Sequence, residues 1–186
     1  MLITPVECTL PLADSGLTRS AGVHVSDLYT SLYKALEPTR YKYSPPNPVR
    51  LAMGLAWEAH VERVMLAAGW KVHRPKECMT KEGVAFSPDL IIKQNGLTRG
   101  GEIKWTTMSD APLDDPKFAK WHTQAKVYGY HLKLPDWTFF VCFANGDYKA
   151  NREPTFRQIE VTYTWREMEA EWALLLAHGR QEGLLP

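Results

Sequence analysis

The most constraining feature of the sequence is the stretch GVAFSPDLIIKQNGLTRGGEIKW at residues 83–105. Two apolar runs flank Gln-Asn-Gly at residues 94–96, and an Asn-Gly pair between such runs is a strong signal for a β-hairpin. Because side chains alternate along a strand, Glu102 and Lys104 are expected on one face and Ile103 on the other. The segment therefore predicts a strand, a tight turn and a second strand with a polar pair on one side.

The first strand of this hairpin carries a carboxylate, Asp89, directly after Pro88. Burying a carboxylate among apolar residues costs several kcal/mol unless it is paired or bound to a metal. If the strands pair through the turn, Asp89 and Glu102 converge near one end of the hairpin. Gly100 and Gly101, just before Glu102, would allow a bulge or the close approach of a phosphate.

Two carboxylates beside a lysine suit the hydrolysis of a phosphodiester bond. That reaction needs a hard cation, and Mg²⁺ binds few protein oxygens and keeps several waters. A lysine next to the cation can orient or deprotonate the attacking water and can meet developing negative charge. The structural alternative is a hairpin with two exposed carboxylates and a lysine in alternation, because a Glu-x-Lys tripeptide alone is common.

Helical periodicity predicts four helices along the chain. The first begins with Ser26 as its N-cap and carries Leu28, Leu32 and Leu36 on one face. The next two are predicted at residues 49–68, ending at Gly69, and at 116–132. The last is predicted at 165–181, with Thr164 as its N-cap.

Further strands are predicted at residues 70–75, 136–145 and 156–164, which gives the order α, α, β, β, β, α, β, β, α. A chain of 186 residues with 45% hydrophobic residues suits a single α/β domain. We expect an N-terminal arm at 1–23, a helix and Pro-rich connector at 24–48, a catalytic core at 49–164 and a C-terminal helix at 165–186.

The charge balance leaves the class of partner undecided. With 22 Lys and Arg against 21 Asp and Glu, the net charge is +1. A nucleic-acid-binding domain is often strongly basic, but an acidic metal site can offset a basic channel. Cys8, Cys78 and Cys142 lack metal-ligand spacing, which argues against structural zinc and iron–sulfur clusters. Without a signal peptide or a long apolar run, a cytoplasmic location in a prokaryotic or phage-infected cell is expected.

The motifs resemble those of the PD-(D/E)xK nuclease superfamily. SPD followed by GEIK is similar to the defining pair of motifs. In the predicted second helix, Glu58 follows Gly54 by four residues, similar to the GxxxE helix of the RecB-like and lambda-exonuclease-like branches. Gln124 and Tyr128 resemble the QxxxY element of the same branches. The resemblance covers residues 24–164 and lacks the cysteine quartet of the CRISPR-associated subgroup.

The resemblance implies a restriction-endonuclease-like fold, in which a mixed central sheet is flanked by helices. It implies a Mg²⁺ site, with Mn²⁺ able to substitute, whose ligands are Asp89, Glu102, Ile103 and Glu58. Glu62, one helical turn after Glu58, is the competing third carboxylate. The resemblance assigns Lys104 to assist the nucleophile. It assigns Gln124 and Tyr128 to position the substrate, and Lys126 to contact a phosphate.

The implied activity is metal-dependent hydrolysis of DNA. An exonuclease acting on DNA ends in recombination, repair or phage DNA processing is the first choice, because the branches with these motifs degrade ends. One alternative is an endonuclease of the same fold, either a nickase or a junction-resolving enzyme. The other is a catalytically idle nucleic-acid-binding module, against which the complete Asp-Glu-Lys set argues. The expected partners besides DNA are a second copy of the chain, a recombination protein or a single-strand-binding protein.

Overall fold

The computed structural model describes residues 20–40, 48–94, 96–108, 110–112, 114–144 and 153–186. Within these ranges the helices are α1 (Val25–Leu36), α2 (Pro48–Ala67), α3 (Ala119–Leu132) and α4 (Trp165–Gln181). The strands are β1 (Lys71–His73), β2 (Cys78–Met79), β3 (Ala85–Phe86), β4 (Leu90–Gln94), β5 (Leu97–Thr106), β6 (Asp136–Phe143) and β7 (Thr155–Thr162). The predicted order of elements is confirmed, apart from the short strand β2, which the sequence did not indicate, and the division of one predicted strand into β3 and β4.

A mixed five-stranded sheet forms the centre of the fold, with strand order β1-β4-β5-β6-β7. β5 and β6 run parallel, and the other neighbouring pairs run antiparallel. Helix α3 lies in the crossover that parallel pairing requires. The predicted α/β class, with a mixed central sheet flanked by helices, is confirmed.

The predicted hairpin is present as β4 and β5, in which Gln94 pairs with Leu97 and Leu90 with Gly101. Its first strand is shorter than expected, because the continuous strand predicted around Asp89 is divided into β3 and β4. Pro88 lies at the break, and proline has no N–H to donate to a sheet. Asp89 therefore lies at the entrance to β4 and not in a strand interior.

Helices cover both faces of the sheet. On one face, α2 packs its Val61 and Met65 against apolar side chains of β4 and β5. On the other face, α1, α3 and α4 form the larger core with β6. Ile103 belongs to the α2 side, as its alternation with Glu102 and Lys104 predicted. Glu102 and Lys104 of β5 therefore lie on the face that α3 covers.

The start of α1 differs from the prediction. His24, and not Ser26, is the N-cap, and its backbone N–H donates to Asp27 Oδ2 at 2.9 Å. Asp27 thus supplies the side chain of a capping arrangement that begins two residues earlier than expected. Leu28 and Leu32 are buried as predicted, but Leu36 is 63% exposed because it is the last residue of the helix.

The other helix ends agree with the sequence to within a turn. Helix α2 is followed by Gly69 with φ +80°, in the left-handed region that favours glycine. The predicted third helix begins with a 3-10 turn at Pro116–Phe118 before α3. Thr164 caps α4 as predicted, accepting the Glu167 N–H at 3.2 Å.

Parts of the predicted arm and connector, residues 1–19 and 41–47, lie outside the described residues. In the part of the chain that the structure describes, no helix combines the length and apolar character needed to cross a bilayer.

Candidate active site

The hairpin register brings the two predicted carboxylates together. Leu90 pairs with Gly101, so Asp89, one residue before β4, lies beside Glu102. The Ile103 N–H donates to Asp89 Oδ2 at 2.8 Å, which fixes the carboxylate against the middle of β5. The convergence of Asp89 and Glu102 that the sequence predicted is present in the structure.

Glu102 is an acid without exposure to solvent. Its side chain is 0% exposed, and Oε1 accepts no hydrogen bond from the described residues. When Glu102 is protonated, its carboxyl group can donate to Asp89. Burial, followed by the negative charge of Asp89, raises the pKa of Glu102 to about 8. Its other oxygen, Oε2, accepts from Lys104 Nζ at 2.6 Å. A buried carboxylate oxygen without a partner is the kind of atom that a bound cation would satisfy.

Lys104 connects β5 to α3. Its Nζ donates to Glu102 Oε2 at 2.6 Å and to Gln124 Oε1 at 3.0 Å. Burial acts to lower the pKa of Lys104, but the negative charges of Glu102 and Asp89 outweigh burial and raise it. Lys104 is therefore a positive charge at neutral pH, and Glu102 is the member of the pair that titrates in this range.

Helix α3 brings the Gln-x-x-x-Tyr pair to this cluster. Gln124 Nε2 donates to the Tyr128 hydroxyl at 3.3 Å, one helical turn along. Burial, and then the charge of Glu102, raises the pKa of Tyr128, which keeps the side chain a neutral phenol. Lys126 lies elsewhere: its Nζ contacts Glu171 Oε2 on α4 at 3.1 Å. To contact a phosphate, Lys126 would have to leave that partner.

Glu58 approaches from α2, on the opposite face of the sheet. Its Oε2 accepts from Arg74 Nη1 at 2.8 Å, and Arg74 Nη2 lies 3.6 Å from Glu62 Oε2. Burial and the charge of Asp89 raise the pKa of Glu58, while Arg74 opposes them. Glu58 lines a cleft together with Asp89, and Glu62 does not. The geometry thus favours Glu58 of the two candidate third carboxylates.

That cleft has a volume of about 580 Å³ and lies between the start of α1, helix α2 and the segment that follows β1. Asp89 and Tyr128 reach it from the central cluster, and Glu58 and Arg74 from the α2 side. Sequence reasoning did not identify Arg74, because its contacts with α2 join residues that no local pattern connects. In the sequence, Arg74 falls inside the strand predicted at residues 70–75, whereas in the structure β1 ends at His73.

The donor set fits a hard divalent cation. Asp89 and Glu102 offer carboxylate oxygens, one of them an unpartnered buried atom, and Mg²⁺ binds through one or two carboxylates while keeping waters. Among the residues that the structure describes, however, no group of three or more His, Cys, Asp or Glu side chains is close enough to enclose a metal ion. Of the other two acids, Asp89 is the one whose charge acts on Glu58, and the Glu58 carboxylate is already paired with Arg74.

No protein-family model matches the sequence, and no curated protein matches it. Among solved structures, the chain is similar to a crystal structure of SSO0001, with a TM-score of 0.48 and 13% identity, over 88% of this chain and 79% of that one. It is also similar to a crystal structure of LHK-Exo in complex with dAMP, with a TM-score of 0.48 and 16% identity, over 87% of this chain and 89% of that one. These values describe a partial likeness of fold and carry no argument about site chemistry.

Proposed function

We propose that the protein is a divalent-metal-dependent nuclease that hydrolyses DNA, with exonuclease action on DNA ends as the first choice. The observation that carries the proposal is the connected polar cluster in the sheet. Asp89 lies beside Glu102, Glu102 is bonded to Lys104, and Lys104 is bonded to Gln124. Burying such a cluster, with one carboxylate oxygen that accepts no hydrogen bond, lowers the stability of the fold. A catalytic role explains why the chain carries it.

Asp89 and Glu102 are the residues proposed to hold the cation. Ile103 has no polar side chain, so its proposed contribution is its main-chain carbonyl, while its N–H orients Asp89. Glu58 would join directly or through a water. When bound, the cation would neutralise charge on the phosphate and lower the pKa of a bound water.

Lys104 is proposed to stabilise negative charge that develops on the phosphate. Its raised pKa keeps the ammonium protonated, which suits electrostatic stabilisation and argues against a role as general base. Glu102 and Gln124 fix Nζ from two directions, so little reorganisation is needed when charge develops. Lys104 would also orient the attacking water by donating to it.

Gln124 and Tyr128 are proposed to position the substrate and the lysine together. Gln124 accepts from Lys104 through its carbonyl oxygen and donates to Tyr128 through its amide nitrogen. The phenol reaches the cleft that Asp89 also lines. A neutral hydroxyl in this position can donate to a phosphate oxygen without adding charge.

A comparison of linear with closed circular DNA distinguishes the exonuclease from the endonuclease. With Mg²⁺ or Mn²⁺, the proposed exonuclease releases nucleotides from end-labelled linear DNA and leaves closed circles intact. Nicking or linearisation of circles would instead identify an endonuclease of this fold.

Two observations favour the catalytically idle alternative. Arg74 forms an ion pair with Glu58, and the described acids do not form a three-ligand group. This alternative predicts DNA binding without cleavage in both Mg²⁺ and Mn²⁺. Calcium provides the matched binding condition, because its larger and looser coordination shell should support binding with little turnover.

A further inference from the structure

Arg74 is held in a fixed orientation at the wall of the cleft. It follows the edge strand β1, and its guanidinium lies between Glu58 and Glu62, one turn apart on α2. The side chain is 36% exposed. A guanidinium has five N–H donors, so two carboxylate contacts leave donors for a third partner. The two glutamates thus pre-organise Arg74, which reduces the entropy lost when it binds another group.

Lys76 lies two residues further along the same wall and is exposed. Among the described residues, no carboxylate lies within ion-pair distance of Lys76. Arg74 and Lys76 are the two permanent cations among the described residues that line the cleft, whereas Glu58, Glu77 and Asp89 give it negative charge. Glu77 Oε2 lies 3.6 Å from His24 Nδ1 on the opposite wall. A polyanion that enters this cleft meets these two cationic side chains along the segment that follows β1.

We propose that this segment, through Arg74 and Lys76, binds a backbone phosphate of DNA next to the carboxylate pair. The inference rests on the proposed function and adds a substrate contact that the sequence motifs do not contain. Arg74 suits this role because its planar fork can engage two oxygens of one phosphate while Glu58 and Glu62 hold its orientation. Lys76 adds a point charge beside it.

The test is the salt dependence of DNA binding. A short fluorescein-labelled duplex is titrated with protein in Ca²⁺ across a series of KCl concentrations, and binding is followed by fluorescence anisotropy. Each phosphate contact contributes about 0.9 to the slope of log K against log salt. Arg74→Gln and Lys76→Gln should each weaken binding several-fold and reduce that slope by about one contact.

Lys93→Gln is the matched control. It removes the same charge from an exposed position on β4, four residues from Asp89 and about 13 Å along the strand. Its affinity and slope should stay at the wild-type values. Thermal melting of each variant checks the fold. If Arg74→Gln does not fold because Glu58 and Glu62 lose their partner, the exposed Lys76→Gln still decides the question.

The outcomes separate this inference from the proposed function. If the wild type binds and cleaves DNA, but both cleft variants keep the wild-type slope, the phosphate contact is overturned and the nuclease stands. An equal loss in Lys93→Gln also overturns it, because the effect is then one of total charge. A wild type that neither binds nor cleaves DNA overturns the proposed function itself, and this inference with it.

Discussion

Glu102→Gln should remove most of the pH dependence of stability that this site imposes. An acid whose folded pKa is raised binds more protons in the folded state, so the free energy of unfolding falls as pH rises through the window between the two pKa values. For Glu102 the window extends from 4.5 to about 8. At about 1.4 kcal/mol per pH unit, the full penalty is about 5 kcal/mol at most, present above pH 8 and absent below pH 4.5.

The substitution keeps the shape of the side chain and an oxygen that can accept from Lys104, but removes the titrating group. At pH 5 the two proteins should therefore melt within a few degrees of each other. At pH 8.5 the variant should melt higher, by on the order of 10 °C if the full penalty applies, given about 2–4 °C per kcal/mol for a chain of this size. The assay is thermal unfolding followed by circular dichroism in EDTA, from pH 5 to pH 8.5.

Glu169→Gln is the control, because Glu169 is an exposed carboxylate on α4. It should follow the wild-type curve. If Glu102→Gln keeps the wild-type pH dependence, or melts well below the wild type at pH 8.5, then Glu102 is a stabilised anion paired with Lys104. The account of a strained, partly protonated acid would then be refuted.

Three further predictions concern single side chains. Lys104→Ala should lower cleavage about 100-fold or more while leaving Mg²⁺ affinity nearly unchanged in calorimetric titration, because Lys104 meets charge on the phosphate and does not ligate the metal; near-normal turnover would give it a structural role. Gln124→Ala should reduce turnover more than Tyr128→Phe, since it also releases Lys104 Nζ, and a reversed order in steady-state rates would remove that positioning role. Gly100→Ala should lower the free energy of unfolding by about 1–3 kcal/mol in chemical denaturation, because a Cβ would lie 2.6 Å from the indole ring of Trp137 on β6. Gly54→Ala, where a Cβ would meet nothing within 4 Å, should raise it by about 1 kcal/mol. Equal effects of the two substitutions would contradict the packing.

The hairpin was predictable because its information is local. The Asn-Gly turn sets the register, the register places Asp89 beside Glu102, and strand alternation places Glu102 and Lys104 on one face. The Thr164 cap is local in the same way, since its partner Glu167 lies three residues away. Such features need no knowledge of how distant elements pack.

Contacts between distant elements were not predictable from the sequence. Arg74 reaches α2 only because β1 joins the sheet edge beside that helix, and no pattern in residues 70–75 indicates it. Lys126 has a suitable spacing for a phosphate contact, but α4 presents Glu171 to it. The motif resemblance predicted that Glu58 lies near Asp89. It did not predict that Glu58 approaches from the face opposite Glu102, because that depends on how the helices pack on the two sides of the sheet.

The central claim is that Asp89 and Glu102 hold a divalent cation that is needed for hydrolysis. The most direct measurement is nucleotide release from end-labelled linear DNA by wild type and Asp89→Asn, each in Mg²⁺ and in EDTA. The amide of this variant keeps an oxygen that can accept from the Ile103 N–H, so the variant should fold. It should melt at or above the wild-type temperature in EDTA, because one of the crowded charges is removed. We expect release by the wild type in Mg²⁺ only, and none by the variant. Release in EDTA, or a wild-type rate for Asp89→Asn, would contradict the account.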